Sequence, residues 1–323
     1  MFNFTTIKKY ATAILTATVV AMIALTAWKL NEQYQLTAPL TTISFGFGTA
    51  MAVIYRIVNP LGWAWVLRGM GQSVDCLAAT RIWLLAESRR WLPGGIWGYA
   101  SRAVAAKEIG VSRTAASASM AIELLVTILA AVVVSAIGVA MHYSELSSSA
   151  GELIANSGMS QQWGMWIALS AATFCVVAFA MRKTLKRKLT KASAKFASLG
   201  GVKVKPKWLA SSLGYLILMA ALNGSVNSVL LPAIDSASVP LVAMIAATAA
   251  AWIIGFFAIF SPGGILVREA ALATLLLPWL SWETGFALAI LSRFAQLIAE
   301  VIGMGLMVCI SNEKVEVPVE TLH

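Results

Sequence analysis

The stretch Trp91–Gly110, WLPGGIWGYASRAVAAKEIG, decides how the rest of the chain is read. Apolar runs surround it, yet it holds a Pro-Gly-Gly break followed by Arg102 and Lys107. Pro93 removes a backbone N–H and disfavours continuous helix. Gly94 and Gly95 accept backbone angles that other residues resist. Backbone freed in this way is tolerated at membrane depth only where protein or a wet cavity surrounds it.

The composition outside the stretch supports a membrane setting. Hydrophobic residues make up 59% and charged residues 12%, with a mean hydropathy of +0.80; a soluble domain carries roughly 25% charge. Apolar runs of about 20 residues, the length of a membrane-spanning helix, recur along the chain. The fold class expected is an all-α polytopic integral membrane protein, a single transmembrane domain over residues 1–323. Cys76, Cys175 and Cys309 stand singly in apolar segments, and His142 and His323 stand apart. No metal or cofactor site is expected from them. Tyr10–Trp28, after Lys8 and Lys9, is too long for a signal-peptide core and reads as an uncleaved first span.

The net charge of +10 is concentrated in one loop, residues 182–207, which holds ten Lys/Arg and no acid. Such a loop between two spans is a cytoplasmic topology determinant that also suits anionic headgroups. Nucleic acid is therefore not an expected partner.

Six segments read as full spans, at about 10–30, 40–67, 114–142, 163–181, 208–231 and 284–310. Lys8 and Lys9 place the N-terminus inside, Arg56 and Arg68 place the end of the second span inside, and Ser144–Gln162, free of Lys and Arg, is expected outside. The segment 74–110 must then enter and return on the cytoplasmic side, with Pro93, Gly94 and Gly95 at the tip of a re-entrant hairpin. A second such break occurs in FSPGGILVREAALATLLLPWLSWE, Phe260–Glu283. Pro262, Gly263, Gly264 and Ile265 match Pro93, Gly94, Gly95 and Ile96 at one constant offset, which also relates Ser281 to Ser112. Each half then has three full crossings and one broken hairpin. The first repeat runs over about 10–143 and the second, inverted, over about 163–310, before a short tail at 311–323. Inverted repeats with discontinuous helices are a recurring transporter design.

Glu123 and Arg293 each lie about ten residues into the last span of their half, roughly 15 Å deep at 1.5 Å per residue. Arg293, Gln296 and Glu300 share one helix face. Arg102 follows the first break by a short helical stretch, and Arg268 and Glu269 follow the second. The hairpins can gather all six charges, Arg102, Glu123, Arg268, Glu269, Arg293 and Glu300, toward one interior. Two readings stand side by side: ion pairs that hold helices together, including a Glu123–Arg293 contact, or a cavity for a charged headgroup. A charge at this depth normally faces a partner or a wet cavity, and arginine's planar fork favours phosphate. Arg81, Glu87, Arg89 and Arg90 read as interfacial. Tryptophans near segment ends read as belts, and the GFG at 46–48 and GMG at 303–305 as close helix contacts.

The motifs LPGGIWGYASR, SASMAIELL, SPGGILVREAAL and ALAILSRFAQLIAE resemble the transmembrane region of lysylphosphatidylglycerol synthases and the stand-alone flippase-like membrane proteins related to it. The resemblance implies movement of lipids with charged heads: aminoacylated phosphatidylglycerol in the synthases, polyprenyl-linked sugars among stand-alone members. It places Arg102, Glu123, Arg268, Glu269 and Arg293 at the family's charged positions. The chain departs from the pattern at Leu124, where arginine often follows the acid, and at Trp97 and Tyr99 before Arg102. With only a tail after Ile310, the soluble aminoacyl-transferase domain of a full synthase is expected to be absent.

The function expected is translocation of a phosphate-bearing lipid or polyprenyl-linked saccharide across the cytoplasmic (inner) membrane, without enzymatic chemistry. Membrane lipids, anionic or polyprenyl-phosphate-linked, are the expected partners. The chain contains no P-loop pattern for nucleotide binding. The alternatives are an accessory subunit of a separate glycosyltransferase or lipid-modifying synthase, and a lipid transferase with Glu123 or Glu269 as base.

Overall fold

In hydrocarbon every backbone polar group must be satisfied within the protein, and a helix does this from its own segment. The computed structural model of the chain describes residues 40, 42–87, 89, 97–156, 206–258, 264 and 266–313, and every regular element among these residues is helical. We label them α1 (Ile43–Val58), α2 (Leu61–Gly69), α3 (Cys76–Glu87), α4 (Trp97–Ala105), α5 (Arg113–Met141), α6 (Tyr143–Asn156), α7 (Pro206–Leu230), α8 (Leu241–Phe257), α9 (Val267–Leu275) and α10 (Trp282–Glu313).

Among the described residues four helical stretches are long and apolar enough to cross a membrane: Ile43–Gly69, Arg113–Met141, Lys207–Ala233 and Trp282–Met307. They coincide with the segments read at 40–67, 114–142, 208–231 and 284–310. The spans read at 10–30 and 163–181 lie outside the described residues, as do Pro93, Gly94, Gly95, Pro262, Gly263 and nearly all of the basic loop.

The second span is not one straight helix, because Pro60 interrupts it. Gly62 N–H bonds the Asn59 carbonyl at 3.1 Å and so leaves the Val58 carbonyl without its usual helical donor. The Tyr215 hydroxyl, reaching over from α7, donates to that carbonyl at 2.5 Å. A freed backbone acceptor inside the membrane is thus satisfied by a neighbouring span. Arg56, read from sequence as marking the inside end of this span, is 8% exposed and ion-paired with Glu300 on α10. Arg68 lies at the end of α2, donating to the Val74 carbonyl through Nε and Nη2 at 3.2 and 2.9 Å.

Each Pro-Gly-Gly break is flanked by two helices that pack on one another, α3 with α4 and α8 with α9. The second pair approaches closely enough to require glycine on both sides. Gly264 has φ 70, and a Cβ there would lie 2.8 Å from the Gly255 carbonyl oxygen; a Cβ on Gly255 would lie 2.9 Å from the Arg268 Cβ. Leu266, at φ 68, is the positive-φ non-glycine residue among the described positions. Strain of this kind costs about 1–3 kcal/mol and persists only where its surroundings enforce it. It falls immediately before α9, which carries Arg268 and Glu269.

The contacts of the two halves mirror each other. Helix α5, which ends the first half, packs on α7 and α8 of the second; α10, which ends the second, packs on α1 and α3 of the first. One apolar core joins Phe45, Val226, Leu230, Met244, Leu276, Leu288 and Leu291. A second joins Trp63, Leu67, Ile82, Leu84, Val111, Met120 and Met307. Of the glycine pairs read from sequence, Gly48 faces Leu230 with no room for a Cβ, whereas Gly46 and Gly305 face open space. The polar stretch after α5 forms a helix, α6.

Candidate functional site

Two serines set the register of the charged helices. Ser112 Oγ accepts from Ala115 N–H at 3.2 Å, and Ser281 Oγ accepts from Thr284 N–H at 3.1 Å. Both are N-caps, and they are the pair that one offset related in sequence. Glu123 follows Ser112 by 11 residues and Arg293 follows Ser281 by 12, which puts both charges about 16–18 Å along their helices.

The charges pair within each half. Arg102 on α4 meets Glu123 on α5, Nη2 to Oε2, at 2.8 Å. Glu269 on α9 meets Arg293 on α10, Oε1 to Nε, at 3.1 Å. The geometry is alike and the signs are exchanged: the short helix after the break brings the cation in one half and the anion in the other. The Glu123–Arg293 contact weighed from sequence is not formed, because a nearer partner from its own hairpin occupies each residue.

The first pair is enclosed by aromatic rings. The Arg102 guanidinium carbon lies 4.9 Å from the ring centre of Trp63, 5.5 Å from Tyr99 and 5.8 Å from Trp83. Trp83 Nε1 donates to Glu123 Oε1 at 3.2 Å, and Trp63 Nε1 donates to Ser119 Oγ at 2.8 Å. Arg56 also faces Trp83, at 5.5 Å, and reaches Glu300 Oε2 through Nη2 at 3.1 Å. One indole therefore touches both arginines. Arginine over an aromatic face gains about 0.5–2 kcal/mol, most where water is excluded.

The second pair lines a cleft. Asn227, Arg268, Glu269, Leu272, Ser292, Arg293 and Gln296 wall it, and its interior, about 10 Å³, takes about one water molecule. Gln296 Nε2 donates to Asn223 Oδ1 at 3.3 Å. Arg293, Gln296 and Glu300 do lie along one side of α10, but they serve different surroundings. Arg293 and Glu300 are separated by about 10 Å along the axis, with Arg293 in the cleft and Glu300 beside Arg56 and Trp83. The six charges thus occupy two centres, an aromatic-lined one with Arg102, Glu123 and Glu300, and the cleft with Arg268, Glu269 and Arg293.

A second hollow, of about 40 Å³, lies between the end of α5 and the first turns of α8, walled by Gly138, Ala243, Ala246, Leu275 and Trp279. Apart from His142 its described walls are uncharged. His142 Nδ1 lies 3.6 Å from Glu145 Oε1. A hydrogen bond from Ser144 Oγ to that carboxylate, 2.7 Å, is the main cause holding Glu145 below the usual carboxylate range. Among the described residues no three His, Cys, Asp or Glu come together as a metal site.

Sequence reasoning missed Arg56, Trp63, Trp83 and Asn227. Arg56 was discoverable by the criterion that picked out Glu123, a lone charge within an apolar span, but it was read with Arg68 as a marker of the span's inside end. The two tryptophans carry no signal of their own, since an indole in a span serves equally as packing or as an interfacial belt.

These helices and buried charge pairs define a multi-pass α-helical membrane protein with ionised groups held inside its bundle. The chain belongs to the family of the lysylphosphatidylglycerol synthase transmembrane region, whose model matches residues 10–303. No curated protein matches it.

Proposed function

We propose that this chain moves a phosphate-bearing lipid, or a polyprenyl-linked saccharide, between the leaflets of the cytoplasmic membrane, with the Arg268–Glu269–Arg293 cleft receiving the headgroup. The observation that carries this reading is a buried ion pair forming the wall of a polar cleft inside an apolar bundle. A carboxylate holds Arg293 at hydrogen-bond distance, and a phosphate matches a guanidinium in the same way with more oxygens to offer. The ligand replaces Glu269 as the partner of Arg293 on arrival, and Glu269 recovers it on release, so no bare cation is left in hydrocarbon.

In this reading the two broken helices dip into the membrane from opposite faces, and alternating exposure of the cleft moves the headgroup across. Arg102 and Glu123, enclosed by Trp63, Trp83 and Tyr99, anchor the first hairpin instead of touching the ligand. Membership of the family supports a lipid substrate, and the mirrored contacts of the two halves support the alternating scheme.

Transfer of labelled phospholipid between leaflets of liposomes containing the purified chain tests the proposal. Arg293→Ala is expected to lower the transfer rate at least tenfold while the protein still elutes as a folded species. Undiminished transfer by a folded Arg293→Ala protein removes the cleft from the mechanism.

A further inference from the structure

His142 stands where the two halves meet, on the side that the sequence reading places outside. It closes α5 of the first half. Its N–H bonds the Gly138 carbonyl at 3.0 Å, and its own carbonyl accepts from Leu146 N–H at 3.1 Å as α6 begins. The backbone is fixed from both directions, so movement is left to the ring. That ring meets Trp279, in the turn between α9 and α10 of the second half, with ring centres 5.4 Å apart and planes at 88°. Both rings wall the hollow of about 40 Å³ between α5 and α8. His142 Nδ1 is shut off from solvent and makes no hydrogen bond among the described residues. Glu145 Oε1 lies 3.6 Å from it, beyond hydrogen-bond reach.

Each protonation state of the ring favours a different neighbour. The neutral form suits the hollow, whose other described walls carry no charge. The charged form is penalised among apolar walls, and by turning toward Glu145 it gains a charge-assisted bond of about 2.8 Å. Glu145 is exposed, and the hydrogen bond from Ser144 keeps it ionised in mild acid. Of the other titratable groups on the surrounding elements, Asp235 is taken by Ala237 N–H and the Thr284 hydroxyl, and Tyr143 and Glu283 are exposed. We propose that His142 is a proton-operated joint between the halves. Neutral, it packs on Trp279 and holds them together; protonated, it turns to Glu145 and lets the hollow widen. Histidine changes charge between about pH 5 and 8, so acid on that side loosens the joint and base restores it. The inference concerns motion between the halves and holds whatever the substrate is.

The test places nitroxide labels at Ala140→Cys on α5 and Thr274→Cys on α9, both exposed positions. The full-length chain is used, with Cys76, Cys175 and Cys309 replaced by serine. Labels are attached at neutral pH, and their separation in lipid nanodiscs is read by electron paramagnetic resonance at about pH 8 and about pH 5.5, above and below the usual histidine midpoint. The separation is expected to be longer at the lower pH. His142→Gln, which cannot take the charge, is expected to keep the alkaline separation at both. Glu145→Gln, at an exposed position where folding is little at stake, is expected to lose at least half of the response. A separation that ignores pH or shortens in acid overturns the inference. So does a response that survives in full in either variant.

Discussion

Trp83 stands between three of the buried charges. Its ring faces Arg56 and Arg102 while its N–H bonds Glu123, so one side chain ties α3 to three other helices. Replacing it with phenylalanine retains an aromatic face and removes the donor, which leaves Glu123 Oε1 buried and short of a hydrogen bond. The expected loss is about 1–3 kcal/mol, measured as reduced thermal stability of the detergent-solubilised protein; unchanged stability would mean that the indole N–H contributes nothing. At this scale sequence reading located Glu123 and Arg293 because depth follows from counting residues along a helix. It did not locate their partners, because pairing depends on which hairpin limb lies alongside, and counting along one helix carries no information about that.

The elements were more legible than the residues. Length and hydropathy mark the four described spans, and the shared offset of Ser112 and Ser281 anticipates two N-caps at matching positions. The interruption at Pro60 was not read, since apolar sequence continues through it and the device that makes it tolerable lies about 150 residues away on α7. Tyr215→Phe isolates that device. It removes one oxygen, leaves the Val58 carbonyl without its donor, and is expected to destabilise by about 1–3 kcal/mol, seen as a lower midpoint in thermal unfolding. If the midpoint is unmoved, the Val58 carbonyl has another donor and the hydroxyl is dispensable.

For the whole molecule, the testable statement is that 74–110 returns to the side from which it entered. In a background with Cys76, Cys175 and Cys309 replaced by serine, Ser73→Cys, Lys107→Cys and Ser148→Cys each offer an exposed position to a membrane-impermeant maleimide. The proposed topology expects label at 148 on intact cells, and at 73 and 107 only after permeabilisation. Opposite accessibility of 73 and 107 would make the segment a full crossing and remove the re-entrant hairpin. The sequence argues for this path through the positive-inside bias and the repeated break together. It carries no sign of the division of the charges into two centres, which depends on how the halves interlock.

That interlocking gives the three buried ion pairs different duties. Arg102–Glu123 and Glu269–Arg293 each stay within one half, so either half can tilt as a unit without stranding a charge in lipid. Arg56–Glu300 joins the two halves. In the proposed alternating scheme it must stretch whenever the halves move apart and so acts as a latch, whose loosening would trade a firm resting state for faster cycling.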